Sequence, residues 1–458
     1  MSAADAAVAA NRFGLGARPG ELAAISQHAR DALLAQLVGP APTLSESLPA
    51  GSTLLAQALA GRAEARARAE GVDAVRVVKN LRATYLPAYT TEVLARFRAA
   101  VTSERSFVER LVQFWSNHFA VSVDKVAVLG LAGAMEREAI RPHVLGTFAD
   151  MLLAVEQHPA MLLYLDNQQS IGPNSAAARL AGRRGKEIGL NENLGREILE
   201  LHTLGVDGEY SQADVRALAT LLTGWSIGGD AGRLRGGEPG EFFFRTGLHE
   251  PGGVTLLGRR YAAGGVEQGV QALHDLALNP RTARHLATKL VRHFVADDPP
   301  AAAVERVATA YLHTGGDLPS TYRALIAAPE SWQSPLTKFK TPADYIHSTW
   351  RALSLPVGTG LRDLRVFEEL GQRSFQPGSP AGWPDRSADW DGSAALMKRL
   401  EWAQGVGQRL GTQVDAQQLG AAALGAYLTA GTQRAIARAA DGAQALTLLL
   451  CSPEFMRR

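Results

Sequence analysis

Histidines and carboxylates collect at a few points along this chain, and their spacing limits the chemistry they can perform. His118 falls on the apolar side of a helical pattern and His158 stands at a His-Pro break. His202 and His249 sit in two polar segments, with Glu197 one turn and a little more before His202. Imidazoles near a carboxylate can hold zinc, iron or copper, or pass protons as general acid and base. Spacing alone does not choose between these. The chain has no His-Glu-x-x-His, phosphate-loop or Gly-x-Gly-x-x-Gly signature, so metalloprotease, NTPase and dehydrogenase readings lack support. One reading is an enzyme with Glu197 and His202 as catalytic groups and His118 and His249 as ligands to a divalent transition metal. Its pocket would lie between the Glu197 helix and the His249 segment. The other is a non-catalytic helical binding or assembly protein that presents the tryptophan loop 383–390 and the basic stretch 179–186 to a partner.

These residues depend on the elements that carry them. In NENLGREILELHTLGVDGEYSQADVRALATLLTGWS, residues 191–226, Asn191 can cap a helix whose apolar stripe is Leu194, Ile198 and Leu201. Glu192–Arg196 and Arg196–Glu200 are spaced for i, i+4 ion pairs, and Gly205 is a natural stop. The DGEYSQAD segment resembles half of a calcium loop. Such a loop would need oxygen ligands at Thr203 and Gly205 and a bidentate glutamate where Asp214 stands, so capping is the better account. Ser211 with Asp214 forms a variant capping box for a helix expected over 213–225. With these roles assigned, Glu197 and His202 are left without a local partner and are expected to face a shared pocket.

Elsewhere the pattern is again helical. Phe107, Leu111, Phe114, Trp115 and His118 make one buried stripe. A helix is expected to begin near Arg141-Pro142 and break at His158-Pro159, because proline disfavours helical geometry in the residue before it. The charged stretch 61–86 reads as a solvated face, and 167–189, with Arg179, Arg183, Arg184 and Lys186, as an exposed loop. Phe242–Phe244 and Val254–Leu257 flank a Gly/Pro turn and suggest one β-hairpin bearing His249 and Glu250. LIAAPESW and LLCSPEFM look like a weak internal echo. The expected fold is mainly α, a multi-helix globular protein with one small β-hairpin. It divides into a helical region 1–166, a basic loop 167–190, a helical hairpin plus β-hairpin 191–260 and a helical region 261–458.

Composition sets outer bounds. A chain of 458 residues exceeds the size of one usual core, and 47 basic against 45 acidic side chains create no global field for nucleic acid or an anionic membrane. Cys451 is the one cysteine, which excludes an internal disulfide framework and multi-cysteine metal sites. No signal peptide or long apolar run is visible, so a soluble, unexported chain is expected.

The strings NRFGLGARPGE, FWSNHF, HPAMLLYLDN, NENLGREILELHTLG with YSQADVRALATLLTGW, PRTARHLATKLVRHFV, GWPDRSADW and SPEFMRR run over nearly the whole chain. Together they resemble the bacterial family catalogued as domain of unknown function 1800. That resemblance implies no activity. It does imply a secretory context, since relatives often carry an export signal, and a sulfatase-like partner protein encoded beside them. This chain shows no such signal, which leaves cytoplasmic and periplasmic or secreted locations both open.

Overall fold

Apolar residues at three-to-four spacing bury one stripe of the longer helices in the structure, a computed structural model that describes residues 3–68, 74–184, 189–229, 235–333 and 335–458. The protein is mainly α-helical; the described residues are 61% helical and form two small two-stranded antiparallel sheets. Among the described residues no helix is long and apolar enough to cross a membrane.

The sheets correct the expected pairing of Phe242–Phe244 with Val254–Leu257. β1 (Trp225–Ile227) pairs with β2 (Phe242–Phe244), and β3 (Val254–Leu256) pairs with β4 (Arg259–Tyr261). Leu257 and Gly258 both take positive φ, 48° and 78°, as a tight two-residue hairpin turn requires, so β3 turns straight into β4. The helix expected over 213–225 ends earlier, spanning Gln212–Leu221. Gly224 follows with φ 83°, packed against the Arg245 carbonyl, and Trp225 opens β1.

Other boundaries shift for local reasons. The helix expected from Arg141-Pro142 begins at Phe148, where the Thr147 hydroxyl accepts from Asp150 N; Arg141–His143 is only a single 3-10 turn. The break at His158 stands as expected, and its imidazole caps the next helix by accepting from Ala160 N at 3.1 Å. Within the expected loop 167–189, Ala176–Gly182 is a short helix capped by Ser175. Arg179, Arg183 and Arg184 are exposed, while Lys186 lies outside the described residues. The side chains of 62–78, in the charged stretch, also lie outside them; Lys79 and Arg82 beyond are exposed.

Two hydrophobic clusters form the interior. The larger contains Phe13, Phe107, Trp115, Phe148, Leu218, Leu290 and Tyr322. The smaller joins Phe97 and Val101 to Phe339, Tyr345, Phe367, Trp390 and Leu449. The helices Ser106–His118 and Pro280–Phe294 bury their apolar stripes in the larger cluster. Pro342–Leu353 buries Tyr345 and Ile346 in the smaller.

Candidate functional site

The polar residues of 191–226 are largely absorbed by the geometry of the helix pair. Asn191 Oδ1 accepts from Asn193 N at 2.9 Å, and the Ser211–Asp214 capping box is formed. Glu192 joins the two helices through Arg196 at 3.3 Å and Arg216 at 2.9 Å, whereas no ion pair links Arg196 to Glu200 among the described residues. The first helix closes in a widened turn, Ile198–His202, which leaves its last carbonyls without helical partners. Imidazoles supply them. His118 Nε2 donates to the His202 carbonyl at 3.1 Å, and His285 Nε2 donates to Leu201 at 3.1 Å. His202 in turn points Nδ1 at Glu156 Oε1, 2.7 Å away, with both side chains buried.

The structure therefore brings His118 and His202 together, their ring centroids 6.0 Å apart. Glu197 is half-buried, and burial raises its pKa; it does not line the main cavity. His249 has a different set of neighbours. Its Nδ1 faces the Thr223 carbonyl and its Nε2 faces Gln268 Oε1, each at 2.8 Å, so both ring nitrogens are engaged. Among the described residues no group of three or more His, Cys, Asp or Glu could hold a metal ion.

The main cavity, of about 480 Å³, lies where the two hydrophobic clusters meet. Its walls come from the Ser106–His118 helix (Gln113, His118), the Pro280–Phe294 helix (Lys289, His293) and the start of Pro342–Leu353 (Asp344). An irregular segment from Gln372 to Asp385 forms its roof. Asn117 anchors this roof through two bonds to the Trp383 backbone, Nδ2 to O at 2.9 Å and N to Oδ1 at 2.7 Å. Tyr89 donates to the Ser374 carbonyl, and Val123 N to that of Phe375. The 383–390 tryptophans serve both walls and core: Trp383 lines the cavity, and Trp390 is buried in the smaller cluster, 6.0 Å from it.

Charges crowd this cavity. Asp344 meets Arg110 at 2.9 Å and Arg458 at 2.8 Å. Burial opposes its ionisation, yet the two guanidinium groups hold its carboxyl well below the usual carboxylate range. Asp385 accepts from His293 Nδ1 at 3.2 Å and lies 3.6 Å from Lys338 and 3.8 Å from Arg458. Its carboxyl is likewise held low against burial, with His293 the strongest favourable neighbour. Lys338 also meets Asp297 at 2.9 Å. Lys289, half-buried on the cavity wall, makes no ion pair or hydrogen bond among the described residues. Burial pulls its ammonium down to about 8.

His293 lies one turn after Lys289 on the same helix. Burial brings its pKa to about 4, which Asp385 partly opposes, so the ring is neutral near neutral pH. With Nδ1–H donated to Asp385, Nε2 carries the lone pair, and it has no partner. His118 Nδ1 and Gln113 Nε2 are also without partners. Sequence reasoning missed Lys289, His293 and Asp385. The available signal was the i, i+4, i+8 spacing of His285, Lys289 and His293 in PRTARHLATKLVRHFV, a polar row beside an apolar stripe.

The sequence pattern of a family described as "Protein of unknown function (DUF1800)" matches residues 8–457. The chain belongs to DUF1800. The match takes in every wall of the cavity, from Arg96 to Asp385, so the pocket is built within the DUF1800 region itself. No curated protein and no solved structure matches the chain.

Proposed function

We propose that this DUF1800 protein is an enzyme whose cavity holds a small anionic substrate and acts on it by acid–base chemistry. The observation that carries this reading is the His293–Asp385 pair on the cavity wall, with Nε2 unpartnered and the unpaired Lys289 one turn earlier on the same helix. Asp385 holds the imidazole in one tautomer and stabilises the imidazolium formed when Nε2 takes a proton. A histidine that is neutral near neutral pH keeps its Nε2 lone pair free to accept a proton, and the unpaired Lys289 favours a substrate that brings negative charge. His118 closes one wall, and the Glu156–His202 contact holds the helix end to which His118 is bonded.

Two measurements on the purified chain test this. Thermal unfolding is followed with acetate, inorganic phosphate, pyruvate and 2-oxoglutarate, and solvent deuterium exchange into the carbon acids is followed by NMR. At least one anion should raise Tm in the wild type and fail to do so in Lys289→Met. Exchange should vanish in His293→Gln. If no anion stabilises the wild type and no carbon acid exchanges, the reading is refuted.

A further inference from the structure

We infer that Lys289 forms an imine with its substrate, which makes a small oxo acid the substrate class; this rests on the anionic-substrate reading above. The sequence holds seven lysines, Lys79, Lys125, Lys186, Lys289, Lys338, Lys340 and Lys398. Lys125 is tied to Asp166 at 2.6 Å and to the Tyr164 carbonyl. Lys338 is tied to Asp297 at 2.9 Å, and Lys340 to Ser348 Oγ at 3.0 Å. Lys79 and Lys398 are exposed, and Lys186 lies outside the described residues. Lys289 alone among the described lysines lines the cavity with its amine uncommitted.

Its surroundings suit a nucleophile better than a fixed counter-ion. A lysine kept as a permanent cation is normally given a carboxylate, and here Asp385 is already engaged by His293, Lys338 and Arg458. A desolvated lysine beside further cations loses its proton readily, which frees the lone pair for attack on a carbonyl. Arg292, three residues further along the same helix, also disfavours the ammonium, while Asp385 favours it.

The reaction balances with Lys289, His293 and solvent water. The Lys289 ammonium first gives one proton to solvent; its amine then adds to the carbonyl carbon, the C–N bond forms, and the carbonyl π pair moves to oxygen, which takes a proton back from solvent. His293 Nε2 accepts the proton lost from nitrogen and returns it to the hydroxyl. That group then leaves as water when the C–O bond breaks, giving the iminium. No oxidant, reductant or cofactor is consumed. Besides Lys289 the cavity wall carries Arg96, Arg110 and Arg373, and these guanidinium groups are the cationic partners the wall offers a substrate carboxylate.

The test traps the adduct on the full chain. Protein is incubated with pyruvate or with 2-oxoglutarate in the presence of sodium cyanoborohydride, and modified lysines are mapped by peptide mass spectrometry. Labelling should saturate at Lys289, at least about tenfold above any exposed lysine, and should slow by a similar factor in His293→Gln. Labelling spread over Lys79, Lys125 and Lys398 with Lys289 spared overturns the inference. Stabilisation by the oxo acids without an adduct at Lys289 overturns the imine and leaves the anionic-substrate reading standing. Neither stabilisation nor adduct overturns both.

Discussion

Replacing His347 by phenylalanine tests the electrostatics of the smaller core separately from any activity. The His347 ring is 1% exposed, with ring centroids 5.7 Å from Phe97 and 5.8 Å from Phe367, and its Nδ1 has no partner. Burial first, then Arg96, brings its pKa from 6.5 to about 3. The sign follows from proton counting. The unfolded chain binds a proton here below about pH 6.5, the native chain refuses it until about pH 3, and stability therefore falls with pH through that window. Between about pH 7 and about pH 4.5 the wild type loses two pH units' worth of linkage at this residue, about 2.7 kcal/mol. Phenylalanine cannot titrate. His347→Phe also changes packing, by an amount of either sign, but that offset is nearly the same at both pH values and cancels in the difference. Urea unfolding of both proteins at the two pH values measures it. The variant should gain about 2.7 kcal/mol on the wild type as the pH is lowered. A ΔΔG that does not change with pH, or changes the other way, would refute the placement of a neutral histidine in this core.

Glu109→Gln removes half of a buried bidentate pair with Arg141, whose contacts are 2.7 and 2.9 Å, and should cost about 3–5 kcal/mol in urea unfolding. Lys289→Met removes an unpaired cation from the cavity wall and should raise Tm without ligand while abolishing stabilisation by anions. Gly382 has φ 83° and lies against Asn117, so Gly382→Ala should cost at least about 1–2 kcal/mol and speed hydrogen exchange across 377–385. Limited trypsin treatment should cut at Arg183 and Arg184, which are exposed at the end of the Ala176–Gly182 helix, before it cuts at the buried Arg12 or Arg399.

Much of this fold was legible because it rests on contacts within a few residues. The stripe Phe107–Leu111–Phe114–Trp115–His118, the bond from Asn193 N to Asn191 just ahead of the helix, the Ser211–Asp214 box and the break at His158 are each set by helical spacing or by a side chain reaching two or three residues along. The match to DUF1800 was legible for the same reason, as strings of residues in order. Strand partners were less so. Phe242–Phe244 and Val254–Leu256 both read as strands, but nothing local says that the first pairs back to Trp225–Ile227 across a longer excursion, while Leu257-Gly258 turns the second forward.

The cavity belongs to tertiary structure alone. Spacing left His202 without a partner, and folding supplied Glu156 from another helix, 46 residues earlier in sequence. His118 and His285 meet at one helix end because unpaired carbonyls there need donors, a demand invisible until the helix is seen to stop. His293 and Asp385 are 92 residues apart in sequence, and Arg110 and Arg458 reach Asp344 from either side of it in the sequence, each more than 100 residues away. Each charge is tolerable inside the protein only because the others arrive with it, and that mutual requirement is settled by packing, not by the order of residues.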